Sequence, residues 1–262
     1  MGIQTHITLQ EVQKLFPAFE IKSLQETTAG VMDTTYILDK YILKKYERNI
    51  QKKVEEDTKI LHILKKNGLN VPSFVSKNGE WYLYEKLCGT MPKDISLFHI
   101  QSLARFLSKM HRVTQNIQSS ASLLESYDIL DILNETQTKF YSFYKKLQSL
   151  KTYTMKNDGF IHGDIFRDNT LFDGKKIAVF DFIDGANGSF TFDLGVALLS
   201  FNPHKRRLYT KLFINTYNQR APKKVQLRDL ETELSNAAKL YGLLRLQRDN
   251  NVKNAKLLEK FW

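Results

Sequence analysis

The chain of 262 residues holds one cysteine, Cys88, so it closes no intrachain disulfide and builds no thiolate zinc site. A reducing compartment follows, and the expected location is the cytoplasm. Five prolines and twelve glycines are too few for a collagen-like or low-complexity chain. No apolar run reaches the roughly 18 residues that a membrane span needs, so no membrane partner is expected. Met1 to Val12 lacks the apolar run of a signal peptide, and His6 stands where a myristoylation pattern needs Ser or Thr. No internal repeat appears. Acidic residues are also scarce: 28 Asp and Glu face 39 Lys and Arg, a net charge of +11. The basic residues come as scattered pairs, such as Lys52-Lys53, Lys145-Lys146 and Arg206-Arg207. A nucleic-acid binder concentrates its charge on one face or arm, which argues against that partner. A small anion such as a nucleotide would still be drawn in by the net field.

What is present is a hydrophobic content of 42%, enough for a packed core of one or two domains. Thr8 and Glu11 have capping-box spacing and predict a short helix to about Lys14. Tyr36 to Tyr46 reads as two strands joined by a turn at Asp39-Lys40. Lys52 to Lys66 reads as a helix that stops at Asn67-Gly68. Phe74-Val75 and Trp81 to Tyr84 read as strands around a turn at Lys77-Asn-Gly79. After Gly89 and Pro92 the pattern becomes helical, with helices over His99 to Arg112 and, as one long element, Leu123 to Leu150. A mixed section from Phe160 to Phe192 precedes further helices. The expected fold class is α+β: a β-rich lobe over residues 1–85, a helical lobe over 86–262, a hinge at about 85–89, and a cleft between them.

The chemistry-bearing stretch is Ile161-His-Gly-Asp-Ile-Phe-Arg-Asp-Asn-Thr170, followed by Ile177-Ala-Val-Phe-Asp-Phe182. The spacing His162-x-Asp164-x-x-x-x-Asn169 puts a carboxylate and an amide on one loop. A hairpin around Asp173-Gly174 then leads to a second carboxylate, Asp181, at the end of an apolar strand. Asp164 aimed at a hydroxyl could take its proton. The oxygens of Asn169 and Asp181 suit Mg²⁺, which binds few protein oxygens plus substrate phosphates. A shared cation favours a four-residue hairpin loop, Asp173 to Lys176, over a two-residue turn. Asp193 opens an apolar run and reads as a helix N-cap. His111, at the end of an apolar helix, reads as packing.

This stretch resembles the catalytic core of the aminoglycoside phosphotransferase, choline kinase and homoserine kinase superfamily, whose fold is protein-kinase-like and bilobal. Within it, His162 to Asn169 and Asp181 to Leu194 are most similar to type II homoserine kinase. Gly30-Val-Met-Asp-Thr-Thr-Tyr36 and Tyr41-Ile-Leu-Lys-Lys-Tyr-Glu47 resemble that family's small-lobe motifs, with Asp33 where it carries Asn. The resemblance implies an ATP-dependent, Mg²⁺-requiring kinase of a small hydroxyl compound bearing an amine, homoserine first. Choline-like alcohols, amino sugars and aminoglycosides are the alternative acceptors, and a non-catalytic nucleotide-binding pseudokinase is the alternative class. Asp164 would be the catalytic carboxylate, with His162 bracing its loop and Asp193 also holding it. Lys44 and Lys45 point to opposite strand faces, and the family frame selects Lys44 as the phosphate clamp. Its partner would come from the following helix, at Asp57 or its neighbour Glu56. Backbone groups from Glu85 to Leu87 would meet adenine, and Gly30 would begin the loop over the phosphates. Arg167, Asp168 and Asp184 lie near the presumed acceptor, and Arg167 is the nearest cation for an acceptor carboxylate.

Overall fold

The structure, a computed structural model, describes residues 3–27, 33–48, 50–174, 176–249 and 252–262. It divides into two compact units. The first comprises Met1–Gly89 with Ala178–Ile183, and the second Thr90–Ile177 with Asp184–Trp262. The expected division was contiguous. The first unit reclaims the later segment in part because the Val179 N–H bonds the Asn70 carbonyl at 3.1 Å.

In the first unit, helix α1 (Leu9–Leu15) opens on a complete capping box between Thr8 and Glu11. Strands β1 (Leu24–Glu26), β2 (Thr34–Leu38) and β3 (Tyr41–Lys45) precede helix α2 (Gln51–Lys66), then β4 (Phe74–Asn78) and β5 (Trp81–Glu85). They form one five-stranded sheet in the order β1-β2-β3-β5-β4, antiparallel throughout. The β2–β3 turn falls at Asp39-Lys40 as expected. Helix α2 stops at Asn67, and Gly68 follows at φ +72°, a left-handed conformation that glycine adopts without a Cβ clash. Alternation along the strands sends Tyr36, Leu38, Leu43 and Leu83 into one core with Val12, Phe16 and Ile21. Lys44 pairs in register with Thr35 and Tyr82 and therefore points away from that core.

The second unit begins with α3 (Leu97–Thr114) and continues through α4 (Ile129–Lys139) and α5 (Tyr141–Leu147). The single helix expected from Leu123 to Leu150 is interrupted. Phe140, at φ −140° and ψ +56°, closes α4 through its N–H to the Thr136 carbonyl and restarts the chain as α5. The apolar periodicity runs on across this break, so the break leaves no mark in the sequence. Strands β6 (Gly159–Ile161), β7 (Thr170–Asp173), β8 (Lys176–Val179) and β9 (Ala186–Gly188) follow. β6 pairs with β9, and β7 with β8. Strand β7 reaches Asp173 and β8 starts at Lys176, so the ladder extends further into the turn than the expected four-residue loop allows. Helices α6 (Phe190–Phe201), α7 (Arg207–Asn218), α8 (Leu227–Asp249) and α9 (Val252–Glu259) complete the unit. Helix α6 is buried on nearly every side. It touches α8 so closely at Gly195 that an added Cβ would lie 2.9 Å from the Leu234 backbone nitrogen.

Candidate active site

The loop after β6 is held from beneath by Asp193. This carboxylate has no exposed surface, accepts the N–H groups of His162 (3.2 Å) and Gly163 (2.9 Å), and receives His111 Nε2 at 3.0 Å. The other ring nitrogen of His111 meets the Tyr217 hydroxyl at 2.9 Å, and its ring stacks on Phe190 at 4.2 Å. Asp193 is therefore not the N-cap that its position before an apolar run predicts. Ser189 caps α6, and Asp193 lies within the first turn, where it turns inward to the loop. Burying a carboxylate is tolerated only when several donors compensate its lost hydration, and here the loop backbone and His111 do so.

Above this anchor, the buried His162 accepts the Asp164 N–H at Nδ1 (3.2 Å). Asn169 sends its amide nitrogen to both the carbonyl (2.8 Å) and Oδ2 (3.1 Å) of Asp164. Both partners are acceptors, so the nitrogen must face them. The amide oxygen is the atom turned away from Asp164, and an amide oxygen is a ligand for hard cations. Arg167 gives its N–H to Ser200 Oγ and Nη1 to the Lys93 carbonyl at 3.1 Å. Its guanidinium is thus partly engaged by the scaffold. Asp168 is exposed and Asp184 half-buried.

In the first unit, Lys44 Nζ lies 2.5 Å from Asp181 Oδ1. Asp181 adopts φ +66°, a region that Asp enters more readily than most residues. Burial works to lower the Lys44 pKa, but the Asp181 carboxylate beside it, helped by Asp33 and Asp57, holds it above the ordinary lysine value. The direct ion pair of Lys44 is therefore with Asp181, not with the α2 carboxylate expected from spacing. Of the two candidates on α2, Asp57 is 6% exposed and Glu56 half-buried, and it is the charge of Asp57 that Lys44 feels. Tyr46 and Tyr84 join hydroxyls at 3.0 Å on the same side of the sheet as Lys44. In the segment expected to meet adenine, the Glu85 N–H is taken by the Ser73 carbonyl and the Lys86 N–H by the Lys40 carbonyl. The Leu87 backbone enters no hydrogen bond among the described residues. Gly30 lies outside the described residues.

The family model for the phosphotransferase enzyme family matches residues 23–227. The chain belongs to this family. Curated relatives include the homoserine kinases of Methylobacillus flagellatus, 21% identical over 76% of this chain and 70% of that protein, and of Polaromonas naphthalenivorans, 23% identical over 76% and 72%. Among solved structures, an amicoumacin kinase in complex with AMP-PNP and Ca²⁺ has a TM-score of 0.73 at 17% identity, covering 97% of this chain and 93% of that one. The GDP complex of an aminoglycoside 2′-phosphotransferase has 0.70 at 16%, covering 95% of each chain. These likenesses establish the protein-kinase-like α+β fold.

The structure also brings to the loop after β6 residues that sequence reading did not assign to it. His111, read as packing, is one. The others lie along one face of α8 and opposite it. The Tyr241 hydroxyl donates to the Gly163 carbonyl, and its ring meets Phe166 edge-on at 4.8 Å. Arg245 lies 5.7 Å over the Phe166 ring. Burial pushes the Tyr127 hydroxyl up to about 12, the charge of Asp184 adding to the shift and that of Arg248 opposing it. Spacing of four and then three residues on a helix would have grouped 241, 245 and 248, but nothing local ties that face to Gly163.

Proposed function

We propose that this chain is an ATP-dependent kinase that transfers the γ-phosphate to the hydroxyl of a small amino alcohol, homoserine first. The observation that carries the reading is the Asp164–Asn169 pair, locked together by the amide nitrogen and anchored on Asp193. Residues 1–85 are the nucleotide-binding part and 86–262 the catalytic and acceptor-binding part. The Asp164 carboxylate takes the proton of the acceptor hydroxyl, the acceptor oxygen bonds the γ-phosphorus, and the bond to the β–γ bridging oxygen breaks to release ADP. Asn169 holds the Asp164 rotamer, and His162 and Asp193 hold the backbone that carries it. Lys44 contributes positive charge to the phosphates, with Asp57 keeping it charged. Glu85 and Leu87 offer backbone groups to adenine.

Asn169, with its amide oxygen, and Asp181, with its carboxylate, are the residues that would hold Mg²⁺, each carrying the hard oxygen this ion takes. Such an ion neutralises charge that develops on the phosphates. Cys88 is a free, exposed thiol, and no described helix is long and apolar enough to cross a membrane. The proposal places the enzyme in the cytoplasm, with a nucleotide and a small substrate as its partners.

The test is nucleotide consumption with ATP and GTP over homoserine, choline, ethanolamine, amino sugars and aminoglycosides. Turnover is expected with ATP and homoserine, and its loss in Asp164→Asn. Turnover with another acceptor only would replace homoserine. Consumption with none would leave the non-catalytic nucleotide-binding module.

A further inference from the structure

Asp164 is carried between two peptide units of the loop after β6, and hydrogen bonds hold both. After it, the Asp164 carbonyl accepts the Phe166 N–H and the Asn169 amide nitrogen, each at 2.8 Å. Before it, the Asp164 N–H reaches His162 Nδ1 at 3.2 Å, and the Gly163 carbonyl receives the Tyr241 hydroxyl from α8. The unit before Asp164 is the one most in need of a hold. It follows Gly163, at φ +74°, where an added Cβ would lie 2.9 Å from Leu123 Cδ1. The position suits glycine, and without a Cβ the backbone there turns with little steric resistance. A rotation of the Gly163–Asp164 peptide plane swings the Cα–Cβ bond of Asp164 and re-aims its carboxylate.

Two contacts oppose that rotation from opposite edges of the plane, His162 at the N–H and Tyr241 at the carbonyl. His162 belongs to the same loop. Tyr241 comes from a helix packed closely on α6 at Gly195, and α6 carries Asp193, which accepts the Gly163 N–H at 2.9 Å. Gly163 is thus gripped by two helices that touch each other. Tyr241 is 8% exposed, and its ring meets Phe166 edge-on at 4.8 Å. One turn further on, Arg245 lies 5.7 Å over the same Phe166 ring, with Nη1 on the Asn254 carbonyl at 3.3 Å. The hydroxyl is therefore presented by a side chain that packing keeps still. We infer that Tyr241 is a positioning residue of the phosphoryl transfer: its hydroxyl fixes the Gly163–Asp164 peptide plane and so aims the Asp164 carboxylate at the acceptor hydroxyl. The inference rests on the kinase reading and adds to it a residue beyond the stretch 23–227 that matches the family model.

Tyr241→Phe keeps the ring against Phe166 and removes the oxygen alone. Steady-state kinetics use ATP and whichever of homoserine, choline, ethanolamine, amino sugars and aminoglycosides the parent turns over fastest. In Tyr241→Phe, kcat should fall about 10- to 100-fold, the scale of a catalytic group misplaced by an ångström, while KM for ATP stays within about twofold. The melting temperature should fall by only about 2–6 °C, the shift for one neutral hydrogen bond in a chain of this size. The same substitution is then made in an Asp164→Asn background. A residue that acts through the Asp164 carboxylate has little left to lose there, so kcat should change less than about threefold. An unchanged kcat in Tyr241→Phe overturns the inference and leaves the kinase reading intact. An equal loss in both backgrounds, or a loss of kcat that only follows a loss of folded protein, does the same. A parent that turns over none of the acceptors overturns the inference together with the kinase reading.

Discussion

Asp193 and Asp181 use a negative charge in opposite ways. Asp193 is sealed, and its donors are two backbone N–H groups of the loop after β6 and His111. The Asp181 side chain keeps 36% of its surface, sits on backbone at φ +66°, and faces the end of a flexible lysine. A buried charge costs several kcal/mol when left unpartnered, so its donors must come from a rigid scaffold and cannot be exchanged. An accessible charge paired with one long side chain can change partners when a ligand arrives. On the proposed reading the sealed carboxylate is structural, and the accessible ones, Asp181 and Asp164, do the chemistry.

The largest expected effect tests that assignment. Asp164→Asn should lower kcat by about three orders of magnitude, the scale of losing a positioned base. Its Tm should stay within about 2 °C of the parent. A melting curve shifted as far as that of an Asp193 variant would break the comparison.

Asp193→Ala should show the reverse. Removing the acceptor leaves the buried His162 and Gly163 N–H groups and His111 without their partner, which costs about 3–5 kcal/mol. Urea unfolding should report that loss, and Asp193→Asn, which keeps one acceptor oxygen, should lose less. A wild-type midpoint in Asp193→Ala would remove the distinction between sealed and accessible carboxylates.

The packing behind Asp193 gives a smaller effect. In Gly195→Ala the new methyl meets the α8 backbone at Leu234 and Glu233, groups that cannot rotate away. Overpacking of this kind costs about 1–3 kcal/mol, measurable by the same unfolding curve.

The smallest effect comes from an exposed carboxylate with a structural role. The Asp39 carboxylate is held down at about 2, mainly by the Lys22 N–H and then by the Ser23 hydroxyl. Because its folded pKa lies below the ordinary 3.8, its contribution is present above that value and fades as pH falls toward 2. Thermal melts should show Asp39→Asn less stable than the parent at pH 5 to 7, with the gap closing between about pH 4 and 2. A constant gap would mean that the charge of Asp39 is not what its donors recognise.

The sequence by itself determined the features whose cause spans a few residues. The Thr8–Glu11 box, the turn at Asp39-Lys40, the stop at Asn67-Gly68 and the Asp164–Asn169 spacing each follow from side-chain or backbone chemistry within one turn or loop. Alternation on β3 likewise placed Lys44 and Lys45 on opposite faces. Tertiary structure alone decided where charges meet. Lys44 pairs with Asp181 across 137 positions of the chain, and His111 reaches Asp193 across 82. The break at Phe140 and the displacement of the α6 N-cap to Ser189 also escaped local reading. At Phe140 the apolar pattern satisfies a continuous helix equally well, and at Asp193 a carboxylate before an apolar run satisfies a cap equally well. The α8 face bearing Tyr241, Arg245 and Arg248 reads locally as one side of an amphipathic helix. Only folding sets it against Gly163 and Phe166, because hydrogen bonding and ring packing act through distance in space, which the order of residues does not encode.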